Sequence, residues 1–397
     1  LWNITPTDMD FDKIIDRRGT GCIKFDDLES RFGKKDLIPM WIADMDFEVC
    51  PAIYEALKHR IDHKIYGYHT APESYWQSII NWNKRRHGLD IAREELTYMP
   101  GIVRGLAYVL QYFTSKGDKV LIQQPVYHPF KHLVEGNGRV AVKNPLINTG
   151  NTMKMDLDLL ERQIKEEKPK MMILCNPHNP GGVVWDVETL KRVATLCREN
   201  GVLVASDEIH GDVELFGNHY TSFAVVSEDA AQNSIVLGAP SKTFNIPGLI
   251  SSWCVIKNKE LRQGFYDWLA INEFNEPTFT VTVATEAAYN QGESWLNETL
   301  AYLEGNILAL EEFVKEHLPC IKVMRPQASY LIWLDCTELG LKGQELDQLF
   351  IDAGLALNDG EMFGDGGEYH QRINIGCSRS VIIEALKRLE RTIAQRK

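Results

Sequence analysis

The chain has 397 residues, 44% hydrophobic and 25% charged, which suits a globular protein that buries its own core without disulfides or metal. Its 43 basic and 55 acidic side chains leave a net charge of −12, which disfavours nucleic acid or an anionic membrane as partner, since both are negative. The eight cysteines form no CxxC pair and no stretch nears ~18 unbroken apolar residues, so a zinc ribbon, a dense disulfide scaffold and a membrane span are not expected.

Residues 1–50 read as an irregular N-terminal segment with one apolar run, Ile38-Pro-Met-Trp-Ile-Ala43. Its first 18 residues are charged and lack the apolar stretch of a secretory leader, so a cytoplasmic location is expected. A helix is predicted over 51–64, where Pro51 suits a first helical position and Ile53, Leu57 and Ile61 recur every fourth residue. A second helix is predicted over 73–87 and a third over 102–114, after the turn Met99-Pro-Gly101. Strands follow at 119–123 and 171–175, a helix at 186–200, then strands at 202–206, 234–238 and 252–257. Short β-branched runs separated by helical patterns imply an α/β fold with a mostly parallel sheet covered on both faces. After a helix near 259–272 the pattern changes. A long helix near 294–317, a strand at 330–334, a helix at 343–353, a strand at 372–375 and a last helix from about 380 read as a smaller α+β unit. The expected units are therefore 1–50, a large domain at 51–285 and a small domain at 286–397, with the boundary inside 275–293.

Open parallel sheets bind ligands at the carboxyl ends of their strands. Here those ends carry Tyr127, Asn179, Asp207 with His210, and Ser241 with Lys242. A lysine directly after a strand sits in a cleft, where burial lowers its pKa and makes its amine a nucleophile. His59 and His63 have the spacing of some metal ligands but no HExxH accompanies them, so they read as a solvated helix face and no metal is expected. No P-loop, GxSxG or GxGxxG fingerprint is present.

Asn176-Pro-His-Asn-Pro-Gly-Gly182, Ser206-Asp-Glu-Ile-His210 and Ser241-Lys-Thr-Phe-Asn245 resemble the motifs of fold-type I pyridoxal 5′-phosphate (PLP) enzymes, in that family's order. The resemblance runs through Arg372-Ile-Asn-Ile-Gly376 and covers nearly the whole chain. Pro39-Met-Trp-Ile-Ala-Asp-Met-Asp-Phe47, Tyr66-Gly-Tyr68, Trp82-Asn-Lys-Arg-Arg-His-Gly88 and Pro240-Ser-Lys-Thr-Phe-Asn-Ile-Pro-Gly-Leu249 are similar to the MalY/PatB-type cystathionine β-lyases in particular.

The resemblance implies roles residue by residue. Lys242 would hold PLP covalently and move the Cα proton, Asp207 would pair with the pyridine nitrogen, and Asn179 would donate to the phenolic oxygen. Tyr127 would stack on the ring. His210 stands where related aminotransferases carry a Tyr. The phosphate would meet the helix start at Ile102, Val103 and Arg104, together with the Ser241 hydroxyl. Many aminotransferases carry an Arg eight residues after this lysine, but position 250 is Ile, which favours the lyase group. Arg372 would grip the substrate carboxylate, while Trp41 and Ala43 would line the same site, with core packing as the alternative for Trp41. Tyr66 or Tyr68, with Tyr68 preferred as catalytic, would reach the site of a partner subunit in a homodimer.

The expected reaction is β-elimination from L-cystathionine, or from L-cysteine and related thioethers, to pyruvate, ammonia and a thiol. An aminotransferase shares Lys242, Asp207, Asn179 and Arg372 and is the first alternative. A PLP-binding regulator acting on a protein partner is the second.

Overall fold

The computed structural model describes residues 9–396. Residues 1–8, part of the stretch read for a leader, lie outside the described residues.

Seven strands form the central sheet: β1 (Leu96–Met99), β2 (Lys119–Gln124), β3 (Val140–Pro145), β4 (Met171–Cys175), β5 (Leu203–Asp207), β6 (Ser234–Gly238) and β7 (Ser252–Val255). Their order is β1-β7-β6-β5-β4-β2-β3. Only β7 runs against its neighbours, β1 and β6. Every residue of β4 and β6 is buried, as a strand covered on both faces requires. Alternate side chains divide between two cores. Val120, Ile122, Ile173 and Leu237 join one cluster, and Leu121, Met172, Leu174 and Val204 the other.

Local chemistry sets the helix ends. Pro51 opens helix Pro51–Asp62, and Gly88 closes Glu73–His87 in the left-handed conformation at φ 62°. The Asp186 carboxylate accepts the Thr189 N–H at 2.8 Å and caps Val187–Glu199.

Several elements lie where the sequence reading placed none. Among them are β1, β3, the helices Pro129–Gly136 and Leu157–Glu167, and the short helices Ile23–Asp26 and Leu28–Phe32 inside the segment read as irregular. Helix Phe279–Gln291 fills the interval read as a domain boundary. Beyond it, β8 (Lys322–Met324), β9 (Leu331–Asp335), β10 (Asn358–Asp359) and β11 (His370–Asn374) form an antiparallel sheet in the order β8-β9-β11-β10. The N-terminal segment joins this part of the chain: Ile38–Pro39 pairs in parallel with Leu355–Ala356.

Candidate active site

The carboxyl ends of β4, β5 and β6 open into a cavity of about 330 Å³. Asn179, Asp207, His210, Ser241 and Lys242 line it, as do Ala43, Tyr127 and the helix start Ile102, Val103 and Arg104.

Lys242 lies on the four-residue helix Pro240–Thr243, directly beyond β6. Its Nζ donates to the Ala43 carbonyl, which also accepts the Tyr330 hydroxyl at 3.1 Å. Burial lowers the Lys242 amine to about 8; Asp44 and Asp207 oppose that shift and the Arg372 charge adds to it. Asp207 ends β5 and is 4% exposed. Burial raises its carboxyl to about 7, although the Ile209 N–H donates to it at 3.2 Å. Burial, then the Lys242 and Arg372 charges, holds His210 at about 3, so its ring is neutral, and its Nδ1 is buried without a partner.

Another wall of the cavity presents unpaired donors. Gly101, at φ 95°, turns the chain into helix Ile102–Phe113, and no side chain caps the free N–H groups of that helix. Ser251 and Ser252 line the cavity too, and the Ser251 hydroxyl is buried without a hydrogen-bond partner. Ile250 takes a left-handed φ of 55°, and its carbonyl accepts the Tyr98 hydroxyl at 3.1 Å. Arg104 is exposed at the rim.

Arg372, on β11, is 4% exposed. Its Nη1 donates to Asn179 Oδ1 at 3.1 Å, and its Nη2 to Asn358 Oδ1 at 2.6 Å and to the Trp41 carbonyl at 3.0 Å. Its Nε is buried with no partner. Burial lowers its pKa to about 10, so it stays charged at neutral pH.

Three predicted side chains stand elsewhere in the single chain. The Trp41 indole donates to the Lys24 carbonyl at 3.0 Å and packs with Leu28, Leu37 and Ala356, so what Trp41 offers Arg372 is its carbonyl and not its ring. Tyr66 donates to the Ile61 carbonyl at 2.8 Å and stacks on Phe279, and the Tyr68 side chain is fully exposed. Neither tyrosine lines the cavity. The sequence reading missed Ser251, Ser252, Tyr330 and Asn358. The two serines directly follow Ile250, where the reading looked for an arginine, and that adjacency was the available signal.

This sheet, with a lysine beyond one strand and an aspartate ending its neighbour, has the architecture of fold-type I. The chain matches the family described as aminotransferase class I and II over residues 35–389, and it belongs to that family. It is 42% identical to cystathionine β-lyase PatB of Bacillus subtilis, over 97% of this chain and 100% of that protein. Cystalysin from Treponema denticola, which contains a pyridoxal 5′-phosphate cofactor, superposes with a TM-score of 0.94 at 31% identity, over 98% of this chain and 99% of that one. The PLP-bound C–S lyase from Staphylococcus hominis gives 0.91 at 34% identity, over 97% and 98%.

Proposed function

We propose that this chain is a PLP-dependent C–S β-lyase acting on L-cystathionine and related thioethers of L-cysteine, with pyruvate, ammonia and a thiol as products. The observation that carries the reading is the convergence of the Lys242 amine, the Asp207 carboxyl and an uncapped helix start on one cavity. The unpaired groups fit the cofactor part by part. The Ser251 hydroxyl and the N–H groups of Ile102 and Val103 suit a phosphate. Asp207, desolvated and holding a single hydrogen bond, suits a ring nitrogen that carries a proton. Asn179 gives its Oδ1 to Arg372, which leaves its amide N–H groups for the phenolic oxygen.

Bound PLP supplies an electron sink for the pair left at Cα. The chain does the rest. Arg372 binds the substrate carboxylate with its guanidinium fork, already oriented by Asn179 and Asn358. That grip would fix the orientation of the Cα–H bond toward Lys242. The Lys242 amine, held near 8, has a substantial neutral fraction at neutral to mildly basic pH and takes the Cα proton. His210 is neutral beside it and does not compete for charge. The Ala43 carbonyl, which also accepts from Tyr330, holds the lysine amine in place.

The same reading includes a homodimer in which Tyr66 or Tyr68 completes the neighbouring site, an amino-acid substrate as the small-molecule partner, and a cytoplasmic location. Ile61, Ile65, Tyr66 and Tyr68 are all exposed within one short stretch, which supports the dimer. None of the eight cysteines is paired, which supports a reducing compartment. The division at 1–50, 51–285 and 286–397 is part of the proposal, with the first unit packed on the last through Ile38–Pro39.

The test is turnover of L-cystathionine by the PLP-loaded protein with no 2-oxo acid added. Equal release of pyruvate and free thiol is expected. Absence of both, with activity appearing only when a 2-oxo acid acceptor is supplied, would replace the lyase by an aminotransferase.

A further inference from the structure

The stretch Trp82-Asn-Lys-Arg-Arg-His-Gly88 takes no part in the site described above, yet its side chains converge on one buried carboxylate. Trp82 Nε1 donates to Asp212 Oδ1 at 2.9 Å, and His87 Nε2 lies 2.7 Å from the same oxygen. A carboxylate only accepts, so His87 carries its proton on Nε2. The other oxygen, Oδ2, accepts the Thr243 hydroxyl at 2.9 Å. Arg86 Nε stands 3.7 Å from Oδ1. Burial works against ionisation of Asp212, but the His87, Arg86 and Trp82 contacts outweigh it and keep the carboxyl below its usual range.

The two ends of this hub are adjacent to the chemistry. Asp212 belongs to the loop that carries Asp207 and His210. Thr243 is the residue after Lys242, on a helix of only four residues. A single turn has little stiffness of its own. Its backbone is held by the Phe244 N–H to Pro240 carbonyl bond at 2.9 Å and the Ile246 N–H to Ser241 carbonyl bond at 3.0 Å. The Thr243 hydroxyl ties it to the loop that leaves the neighbouring strand.

We propose that Asp212, clamped by Trp82 and His87, is a positioning residue for Lys242, acting through the Thr243 hydroxyl to fix the lysine backbone against the loop of Asp207. The inference rests on the PLP reading of the site. Lys242 can act on the cofactor only if its amine reaches the aldehyde carbon, where a C=N bond forms and one water leaves. A small displacement of its backbone costs that step far more than it costs occupancy of the cavity.

Thr243→Val keeps the shape and removes the hydroxyl; Thr243→Ser keeps the hydroxyl. Full-length apo-protein is mixed with PLP and the rate of borohydride-trappable attachment to Lys242 is measured. Affinity for pyridoxamine 5′-phosphate, which fills the same cavity and has no aldehyde, is measured beside it. Thr243→Val is expected to slow attachment about ten-fold or more while pyridoxamine phosphate affinity stays within about two-fold, and Thr243→Ser is expected to attach at close to the native rate. Native-rate attachment by Thr243→Val would overturn the proposal. So would a parallel loss of both readouts, or a Thr243→Ser protein as slow as Thr243→Val. If Thr243→Val does not fold, Thr243→Ala takes its place under the same criteria. Failure of the unmodified protein to attach PLP at Lys242 would instead overturn the PLP reading itself.

Discussion

Arg372 Nη1 donates to Asn179 Oδ1 at 3.1 Å, joining a strand of the C-terminal sheet to the turn that follows β4. The same guanidinium reaches Asn358, and its Nε is left unpaired in a buried setting. The guanidinium is therefore oriented by partners from its own chain, and its Nε–H stays unpaired.

Arg372→Lys tests this preorganisation. A lysine has no planar fork and cannot bridge Asn179 and Asn358 while also holding a carboxylate in two places. We expect kcat/KM for L-cystathionine to fall roughly 30- to 100-fold, the equivalent of about one charge-assisted hydrogen bond. Steady-state kinetics check this, with the loss expected in KM as well as kcat.

Asp207 makes a prediction about pH. Burial holds it at about 7 in the folded chain, against about 4 in an unfolded one. Between those values the folded apo-protein binds more protons than the unfolded chain. The contribution of this group to apo stability therefore falls as pH rises from about 4 to about 7, and stays low above that. Asp207→Asn is expected to flatten that slope and to raise the melting temperature of the apo-protein at about pH 8. The same variant is expected to gain less from added PLP, because it offers no charge to the ring nitrogen. Thermal melts with and without PLP across the range measure both effects.

Gly101→Ala addresses the uncapped helix start proposed to meet the phosphate. The backbone there has φ 95° and ψ 148°, a conformation that side chains rarely adopt, and an added Cβ would meet Ile250 Cγ2 at 3.4 Å. The contact distance is ordinary, so the cost lies in the backbone. We expect a loss of about 1–3 kcal/mol in urea unfolding and weaker PLP retention, as the helix start shifts away from the phosphate.

Tyr68 gives a test of the dimer. Its side chain is fully exposed in the single chain, so Tyr68→Ala should leave a lone subunit's stability unchanged. If it completes the neighbouring site, the variant loses turnover. Mixing it with Lys242→Ala under conditions that exchange subunits is then expected to restore pyruvate release, since each hybrid holds one site with both residues. Absence of recovery in verified hybrids would remove Tyr68 from the shared site.

The buried parallel strands were legible because their signal is local. Met171–Cys175 and Ser234–Gly238 are continuous apolar runs, and their bounds were read to the residue. Phe279–Gln291 was not legible. Its Thr- and Val-rich turns give only a narrow polar stripe, because most of its residues are buried where it packs on Pro51–Asp62 and Glu73–His87. In the site, Asp207 and Lys242 stand at strand ends, which periodicity locates. Asn358 approaches Arg372 only through the pairing of β10 with β11, and nothing near position 358 marks it. Trp41 shows the reverse case: its motif placed it correctly along the chain, but the peptide group, not the indole, faces Arg372.

The pairing of Ile38–Pro39 with Leu355–Ala356 has a consequence for biosynthesis. A ribosome releases the first partner more than three hundred residues before the second, so the early segment must wait without its mate while the central sheet forms. The Ala43 carbonyl that reaches Lys242 and the Trp41 carbonyl that reaches Arg372 lie in the segment directly after this pairing. A nascent chain thus carries Lys242 long before Leu355–Ala356, the strand that aligns its N-terminal segment, has been made.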